Sequence, residues 1–330
     1  MVKVYTKRVM SLIKKIGVLT SGGDAPGMNA TIRAVVRAGL YYGLEVYGIH
    51  DGYLGLVEGN IEPMTRTDVR EIINRGGTIL GSARLKSFTD HETRMKAIEQ
   101  INKFGIQALV TIGGDGTYRG ALELTKMGIN CIGLPGTIDN DIASTDYTIG
   151  FDTAVNTAVE AVDRLRDTSS SHQRCTIVEV MGRHCGDIAV TTAIATGAEM
   201  VITEETGFDL PKVLNEIRTA KKNNKRHALI IISENITDVH ALAKLVEEYS
   251  GFETRSTVLG HIQRGGNPSV FDRVLASRLG IAAVELLIEG KGGRCIGIVN
   301  DEIKDSPLED AFIKKQSKIT KLIRLTDVLL

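Results

Sequence analysis

The sequence predicts an α/β protein: two similar, Rossmann-like, three-layer lobes with a cleft between them. Three observations point there. Short apolar runs with the character of buried parallel strands alternate with helical stretches along the chain. Several of these runs close on glycine- and aspartate-rich turns, which is where ligands bind in open parallel sheets. The alternation goes through two rounds, and 330 residues are ample for one large or two medium α/β domains.

The elements follow in order. A strand over 15–20 runs into the loop 21–29, Ser-Gly-Gly-Asp-Ala-Pro-Gly-Met-Asn, and a helix over about 30–42. Strand, glycine-rich loop and helix make a phosphate-site architecture, although the spacing is neither GxGxxG nor GxxxxGK[ST]. Arg33 and Arg37 share one face of that helix, for which a solvated surface is the ordinary explanation. A strand over 44–50, a turn-rich loop over 51–55 and a short helix over 67–74 come next. The stretch 75–84 is again glycine-rich and ends in Arg84, a forked cation suited to phosphate. A helix over 92–104 carries Met95, Ile98, Ile101 and Phe104 as a core stripe.

The centre of the chain is 108–141. A strand over 108–112 ends in Gly113-Gly114-Asp115-Gly116-Thr117, a helix spans about 118–127, and a strand over 131–134 ends in Pro135-Gly136-Thr137-Ile138-Asp139-Asn140-Asp141. Glycines let backbone N–H groups approach phosphate oxygens, and a helix start adds a favourable field. Carboxylates there repel phosphate unless a cation intervenes or one of them handles a proton. Asp115 could hold Mg²⁺, and Asp139 could accept the proton of a hydroxyl nucleophile. A tight turn with an aspartate cap explains Gly113-Gly114-Asp115-Gly116 taken alone. It explains the two loops together less well.

The second round opens with a helix over 153–166 and a polar loop over 167–174. A strand over 175–180 ends at Met181-Gly182-Arg183, and a strand over 227–232 ends at Ser233-Glu234. A strand over 254–262 ends in His261-Ile262-Gln263-Arg264. Helices over 186–195, 210–223 and 239–249 and a strand over 200–203 fill the intervals. Arg183 could bind phosphate and Glu234 could accept from sugar hydroxyls, though single strand-end charges are more often just solvated. A helix over 272–288 with the stripe Leu275, Leu279, Val284 and Leu287, a strand over 295–299 and a charged helix over about 308–318 close the chain.

Composition narrows the function. The 40 basic and 40 acidic residues cancel, against a generally basic nucleic-acid surface, and few aromatics with no Trp disfavour base-stacking platforms. Cys131, Cys175, Cys185 and Cys295 are scattered without zinc spacing and read as buried apolar residues in a reducing compartment. No apolar stretch approaches the ~20 residues of a membrane span. The basic stretch 1–11 lacks an apolar core and reads as a short extension before the first strand, not a secretory signal. A cytoplasmic enzyme is expected.

Across nearly its whole length the chain resembles the bacterial-type ATP-dependent 6-phosphofructokinases. The stretches that carry the resemblance are TSGGDAPGMNA (20–30), RGGTILGSAR (75–84), IGGDGT (112–117), GLPGTIDNDI (133–142), TIGFDTA (148–154), RDTSSSHQR (166–174), EVMGRHCGD (179–187) and LGHIQRGG (259–266). GGDGT alone also occurs in NAD kinases and diacylglycerol-type lipid kinases. PGTIDND, MGR and HIQRGG in this order are specific.

The resemblance implies the phosphofructokinase fold and transfer of the γ-phosphoryl of ATP to the 1-hydroxyl of fructose 6-phosphate with Mg²⁺. It implies a larger ATP-binding lobe, 1–149 plus about 262–312, and a smaller fructose-6-phosphate lobe, 150–261 plus about 313–330. Gly23, Arg84, Leu85, Gly114, Asp115, Gly116 and Thr117 match nucleotide-binding positions, with Asp115 at the metal. Thr137, Ile138 and Asp139 lie at the reactive hydroxyl, with Asp139 as base. Met181, Gly182, Arg183, Glu234, His261 and Arg264 match sugar-phosphate contacts, and Arg84 and Arg183 stabilise the transferring group. Arg174 and Arg255 match arginines that reach a neighbouring subunit's site in a homotetramer. Arg33, Arg37, Arg66, Arg166, Glu199, Lys225, Arg226 and His227 match a site for the effectors ADP and phosphoenolpyruvate, while Asn223 stands where the family carries a lysine. Pyrophosphate-dependent relatives tend to read GGDDT and PKTIDND, so Gly116 and Gly136 favour ATP as donor. A kinase of another sugar phosphate or of NAD, and a non-catalytic paralogue, are the competing readings. The arginines at 174, 183, 255 and 264 weigh against NAD, and the retained Asp115 and Asp139 weigh against a silent paralogue.

Overall fold

The computed structural model describes residues 13–313 and 319–329, so the N-terminal stretch 1–11 lies outside the described residues. The chain divides into two compact units. The first takes the described parts of 1–137, 142–149 and 267–314; the second takes 138–141, 150–266 and the described part of 315–330.

The sheet of the first unit grows from β1 (Lys15–Ser21), β4 (Ala108–Gly113) and β5 (Asn130–Thr137), whose apolar side chains are almost wholly buried. β2 (Glu45–Ile49) and β3 (Ile61–Met64) extend it on one side, β11 (Arg294–Val299) and β12 (Glu302–Pro307) on the other, in the order β12-β11-β5-β4-β1-β2-β3. β1, β2, β4, β5 and β11 are parallel, and β3 and β12 pair antiparallel at the edges. Neither edge strand is apparent in the sequence. β3 contains Pro63, which an edge tolerates because one row of its N–H groups needs no partner.

Helices cover both faces. α1 (Met28–Tyr41) packs on α9 (Val270–Ile288). α2 (Gly52–Glu58), α3 (His91–Phe104) and α4 (Asp115–Lys126) share a core with Leu19, Ile49, Leu109 and Cys131 of the strands.

Several expectations need correction here. Residues 52–58 form α2 instead of a loop, because Tyr53 and Leu56 fall on one buried face while Gly55 sits too close to the His50 carbonyl for a side chain. The helix expected over 67–74 is a series of turns, broken where Glu71 takes φ 60°. On α3 the buried positions are Arg94, Ala97 and Ile101, and Met95 is 41% exposed. The stripe is therefore rotated from the expected one. β5 runs through Pro135 and Gly136 to Thr137, because the register with β4 continues to Gly113↔Pro135.

In the second unit β7 (Cys175–Val180), β8 (Met200–Ile202), β9 (Ala228–Ser233) and β10 (Thr254–Val258) form a parallel sheet in the order β10-β7-β9-β8. A two-residue β6 (Ile149–Gly150), which pairs with β5 of the first sheet, leads into α5 (Phe151–His172). α7 (Leu210–Lys222) and α8 (Val239–Ser250) bury Val213, Ile217, Leu242 and Val246 on one face of the sheet. α5, α6 (Asp187–Thr196) and α10 (Ile319–Leu329) pack together, α5 against β7 and α6 against β9.

α5 continues to His172 through the stretch expected to be a loop. Ser169 and Ser171 keep their hydroxyls satisfied by donating to the carbonyls of Leu165 and Asp167, one turn back. β10 stops at Val258, and Gly260–Arg264 is a 3-10 turn. The charged helix expected over 308–318 is a 3-10 turn over Leu308–Phe312, followed by residues outside the described set. Among the described residues no helix is long and apolar enough to cross a membrane.

Candidate active site

In the first unit the chain leaves β1 toward β2 on one side and runs from β4 to β5 on the other. β1 and β4 therefore flank the topological switch point, where the strand ends open a crevice. Three loops meet there. The Thr117 hydroxyl donates to the Ser21 carbonyl at 2.9 Å, joining the loop after β4 to the loop after β1. Asn29 donates to the carbonyls of Arg75 (3.1 Å) and Gly76 (3.0 Å) and accepts from the Ile79 amide (2.7 Å). Thr20 donates to the Gly81 carbonyl (2.7 Å), and Ser82 donates to the Gly22 carbonyl (2.5 Å). The stretch 75–84 is thereby fastened along 20–29, with Arg84 exposed at its end and the following Leu85 half-buried against the core of this unit.

α4 begins at Asp115 with Gly114 extended before it and no side chain capping it. The first-turn amides have no intrahelical carbonyl to bond, so they form an anion-binding start. Tyr53, stacked on Phe88 at 4.1 Å, donates to the Thr117 carbonyl at 2.6 Å and fixes this turn from below. The Asp115 carboxylate is about one-third exposed and pairs with Arg119, one turn along, at 3.1 Å. A lone, accessible carboxylate at an anion-binding helix start fits Mg²⁺ that arrives with a nucleotide, since such ions take only one or two protein carboxylates.

The two glycines that favour ATP differ. A Cβ on Gly116 meets nothing within 4 Å, so that position faces open space. A Cβ on Gly136 meets Ile112 Cγ2 at 2.9 Å and Met28 Cε at 3.2 Å. Gly136 is thus required by close packing in the sheet, and its absent side chain does not by itself open a ligand space.

In the second unit the strand ends gather charge. Glu234, just after β9, accepts from the amides of Gly182 (3.1 Å) and Arg183 (2.8 Å), shaping the turn after β7. That turn needs its glycine: Gly182 has φ 143°, and a Cβ there meets the Cys185 carbonyl oxygen at 2.4 Å. Gln263, fully buried, accepts from the Met181 amide at 3.0 Å. Buried Ile138 anchors Asp139 within this unit. Burial pushes the Asp139 carboxyl up to about 6, helped by neighbouring Asp141 and Glu234 and opposed by Arg264 and Arg183. One buried carboxyl with two cations in its field is thereby assembled. His261 is exposed in the adjoining 3-10 turn.

Arg174 and Arg255 are not part of this group. Arg174 precedes β7 and pairs with Glu253 at 2.8 Å; Arg255, on β10, pairs with Glu253 (2.5 Å) and Glu247 (3.4 Å). Both lie at the amino ends of strands whose carboxyl ends carry Met181 and His261, roughly 20 Å away along the sheet. The remaining basic candidates also divide. Half-buried Arg33 and Arg37 share one face of α1, and the Arg33 pKa is lowered by burial and by the Arg37 charge; Arg66 is exposed in the same unit. In the second unit Glu199 accepts from the Leu229 amide (2.6 Å) and pairs with Lys225 (3.4 Å). Arg166 and His227 are half-buried there, and Arg226 is exposed.

Sequence reading missed Arg119, Tyr53 and Gln263 as parts of these sites. The four-residue spacing of Asp115 and Arg119 was an available signal. Tyr53 and Gln263 act on backbone groups distant in sequence, and nothing local announces that.

The family model for phosphofructokinase matches residues 15–287. The chain belongs to the phosphofructokinase family. It is therefore a kinase by family. An ATP-dependent 6-phosphofructokinase of Tolumonas auensis is 59% identical over 319 residues, 96% of this chain and 100% of that protein. One of Vibrio campbellii is 61% identical over 301 residues, 91% of this chain and 94% of that protein. Among solved structures, Pichia pastoris phosphofructokinase in the T-state superposes with a TM-score of 0.86 at 35% identity. That match covers 96% of this chain, which spans 36% of the yeast chain's length.

Proposed function

We propose that this chain phosphorylates the 1-hydroxyl of fructose 6-phosphate with ATP, yielding fructose 1,6-bisphosphate and ADP. The observation that carries the reading is Asp139, a carboxylate lifted to about 6 beside Arg183 and Arg264. A hydroxyl nucleophile needs a base poised near neutrality, and an anionic sugar needs cations close to that base. The names of the relatives at 59% and 61% identity supply the donor and acceptor.

The first unit is the nucleotide lobe. Gly23, Arg84, Leu85 and residues 114–117 receive ATP on the open start of α4, and Asp115 would hold Mg²⁺. Bound there, Mg²⁺ would supply positive charge to offset that of the nucleotide phosphates. The second unit is the sugar lobe. Met181, Gly182, Glu234 and His261 orient fructose 6-phosphate, and Arg183 and Arg264 pair with its phosphate. Asp139 takes the proton of the 1-hydroxyl as that oxygen attacks the γ-phosphorus, with Thr137 and Ile138 placing the base and Arg84 and Arg183 balancing the transferring charge.

Arg174 and Arg255, at the far strand ends, serve a neighbouring subunit in a homotetramer. Arg33, Arg37, Arg66, Arg166, Glu199, Lys225, Arg226 and His227 contribute to ADP and phosphoenolpyruvate sites between subunits. Two half-buried guanidinium groups on one face of α1 repel each other and are relieved by an anion. The enzyme works in the cytoplasm.

The test is a purified-chain assay of fructose 1,6-bisphosphate formation with ATP or pyrophosphate as donor. ATP-dependent turnover is expected; turnover with pyrophosphate alone sinks the donor assignment. Gly116→Asp is expected to raise the KM for ATP about tenfold or more, since one added charge near a phosphate costs up to ~4 kcal/mol at an effective dielectric of 20. Because that position faces open space and lies in a first helical turn, the melting temperature should not fall. An unchanged KM for ATP in this variant rejects the placement of the nucleotide.

A further inference from the structure

Asn140 lies between the two carboxylates of the Asp139–Asp141 pair and takes φ 53°, a left-handed backbone that a short polar residue tolerates. The residue is 3% exposed, and its Nδ2 donates to Asp187 Oδ2 at 2.6 Å. Asp187 opens α6 and is itself 6% exposed. Both residues belong to the second unit, as does Asp139.

The ordinary role of an acid in a first helical turn is to complement the helix dipole. That role does not account for Asp187. Such acids normally face solvent, whereas burying a carboxylate is costly unless hydrogen bonds compensate. The start of α6 also has another carboxylate: Glu205 Oε1 accepts from the Gly186 amide, one residue before Asp187, at 3.0 Å. With the Gly186 amide served by Glu205, the buried Asp187 is placed to accept from Asn140. A charge-assisted hydrogen bond of this length restricts the Asn140 side chain, and its backbone is covalently continuous with that of Asp139.

We infer that Asp187 is a positioning residue for phosphoryl transfer: through Asn140 it fixes the peptide that aims the Asp139 carboxylate at the sugar hydroxyl. The inference rests on the proposed reaction. Asp187 is not among the residues proposed to bind either substrate, so removing its acceptor loosens the base without removing a proposed binding contact. The cost therefore falls on kcat and not on KM.

The experiment uses the full chain and four variants, Asp187→Ala, Asp187→Asn, Asn140→Gly and the double Asn140→Gly/Asp187→Ala. Asp187→Ala is expected to lower kcat about 10–100-fold, the scale of a misplaced catalytic group, with KM for ATP and for fructose 6-phosphate within about twofold of wild type. Asp187→Asn keeps an oxygen that accepts from Asn140 and should recover most of the loss. Asn140→Gly permits the left-handed backbone but lacks the amide, so it should lose as much as Asp187→Ala. The double variant should lose no more than either single one. Wild-type kcat in Asp187→Ala, losses that multiply in the double variant, or a kcat loss matched by rising KM for both substrates overturns the inference. If Asp187→Ala shows no cooperative thermal unfolding, Asn140→Gly decides alone, and wild-type kcat there is fatal. A wild-type chain without ATP-dependent turnover removes the proposed reaction as well; an active wild type with unaffected variants removes only the role of Asp187.

Discussion

Asp139→Asn should abolish turnover and stabilise the protein at the same time. Losing a general base costs about 10²–10⁴-fold in rate or more. The stability gain follows from the same burial. The Asp139 carboxyl is lifted to about 6 chiefly because its surroundings disfavour charge. A folded-state pKa raised above the unfolded value of about 3.9 contributes stability below pH ~4 and loses it as pH rises through the folded value. Above pH 6 the ionised Asp139 therefore weighs against folding by about 1–3 kcal/mol, allowing for its partial contact with solvent. Asparagine carries no such penalty. Thermal unfolding should show the variant melting higher than wild type at pH 8, with the gap closing near pH 4. Wild-type kcat/KM should fall as pH drops through about 6, because the base must be ionised. Wild-type turnover in Asp139→Asn, or an acidic limb centred near 4, refutes the assignment.

The parts of this fold that were legible in the sequence are those where burial and periodicity agree. β1, β4, β7 and β9 are apolar on both faces, as central parallel strands must be, and each emerged within a residue or two of its place. The errors lie where one residue type serves two purposes. The glycines at 52 and 55 read as turn signals, yet they let α2 pack tightly on the chain around it. The serines at 169 and 171 read as loop, yet they bond back to their own helix. Gly136 read as room for a ligand and is instead closed in by Ile112 and Met28. Among the candidate site residues of each unit, Gly23 and Asp115, and Asp139 and Arg264, stood out because their chemistry is concentrated in short motifs. The residues that hold them in place did not. Asn140 and Asp187 are 47 positions apart, and Gln263 lies 82 positions from the amide it holds. Long-range polar contacts of this kind leave no periodic or compositional trace.

The pH profile can also separate the arginines at the strand ends from those elsewhere. Among the charges that hold the Asp139 carboxyl down, Arg264 contributes most and Arg183 less. Arg264→Met keeps the aliphatic bulk but removes a cation proposed to pair with the sugar phosphate. Its KM for fructose 6-phosphate should rise about 10–100-fold, the loss expected for charge-assisted hydrogen bonds worth about 1.5–3 kcal/mol. Removing a positive charge also favours the protonated carboxyl, so the acidic limb of the rate profile should move to higher pH, and less of the enzyme is active at pH 7. Arg183→Met should move the limb the same way by a smaller amount. Arg255 engages Glu253 and Glu247 at the opposite end of β10, so Arg255→Met should leave the limb where it is, whatever it does to KM. Measuring kcat/KM from pH 5 to 8 for the three variants tests the whole placement. A limb that stays put or moves to lower pH in Arg264→Met means that this guanidinium does not act on the base. A limb displaced upward in Arg255→Met means that Asp139 also senses charge outside its own strand ends.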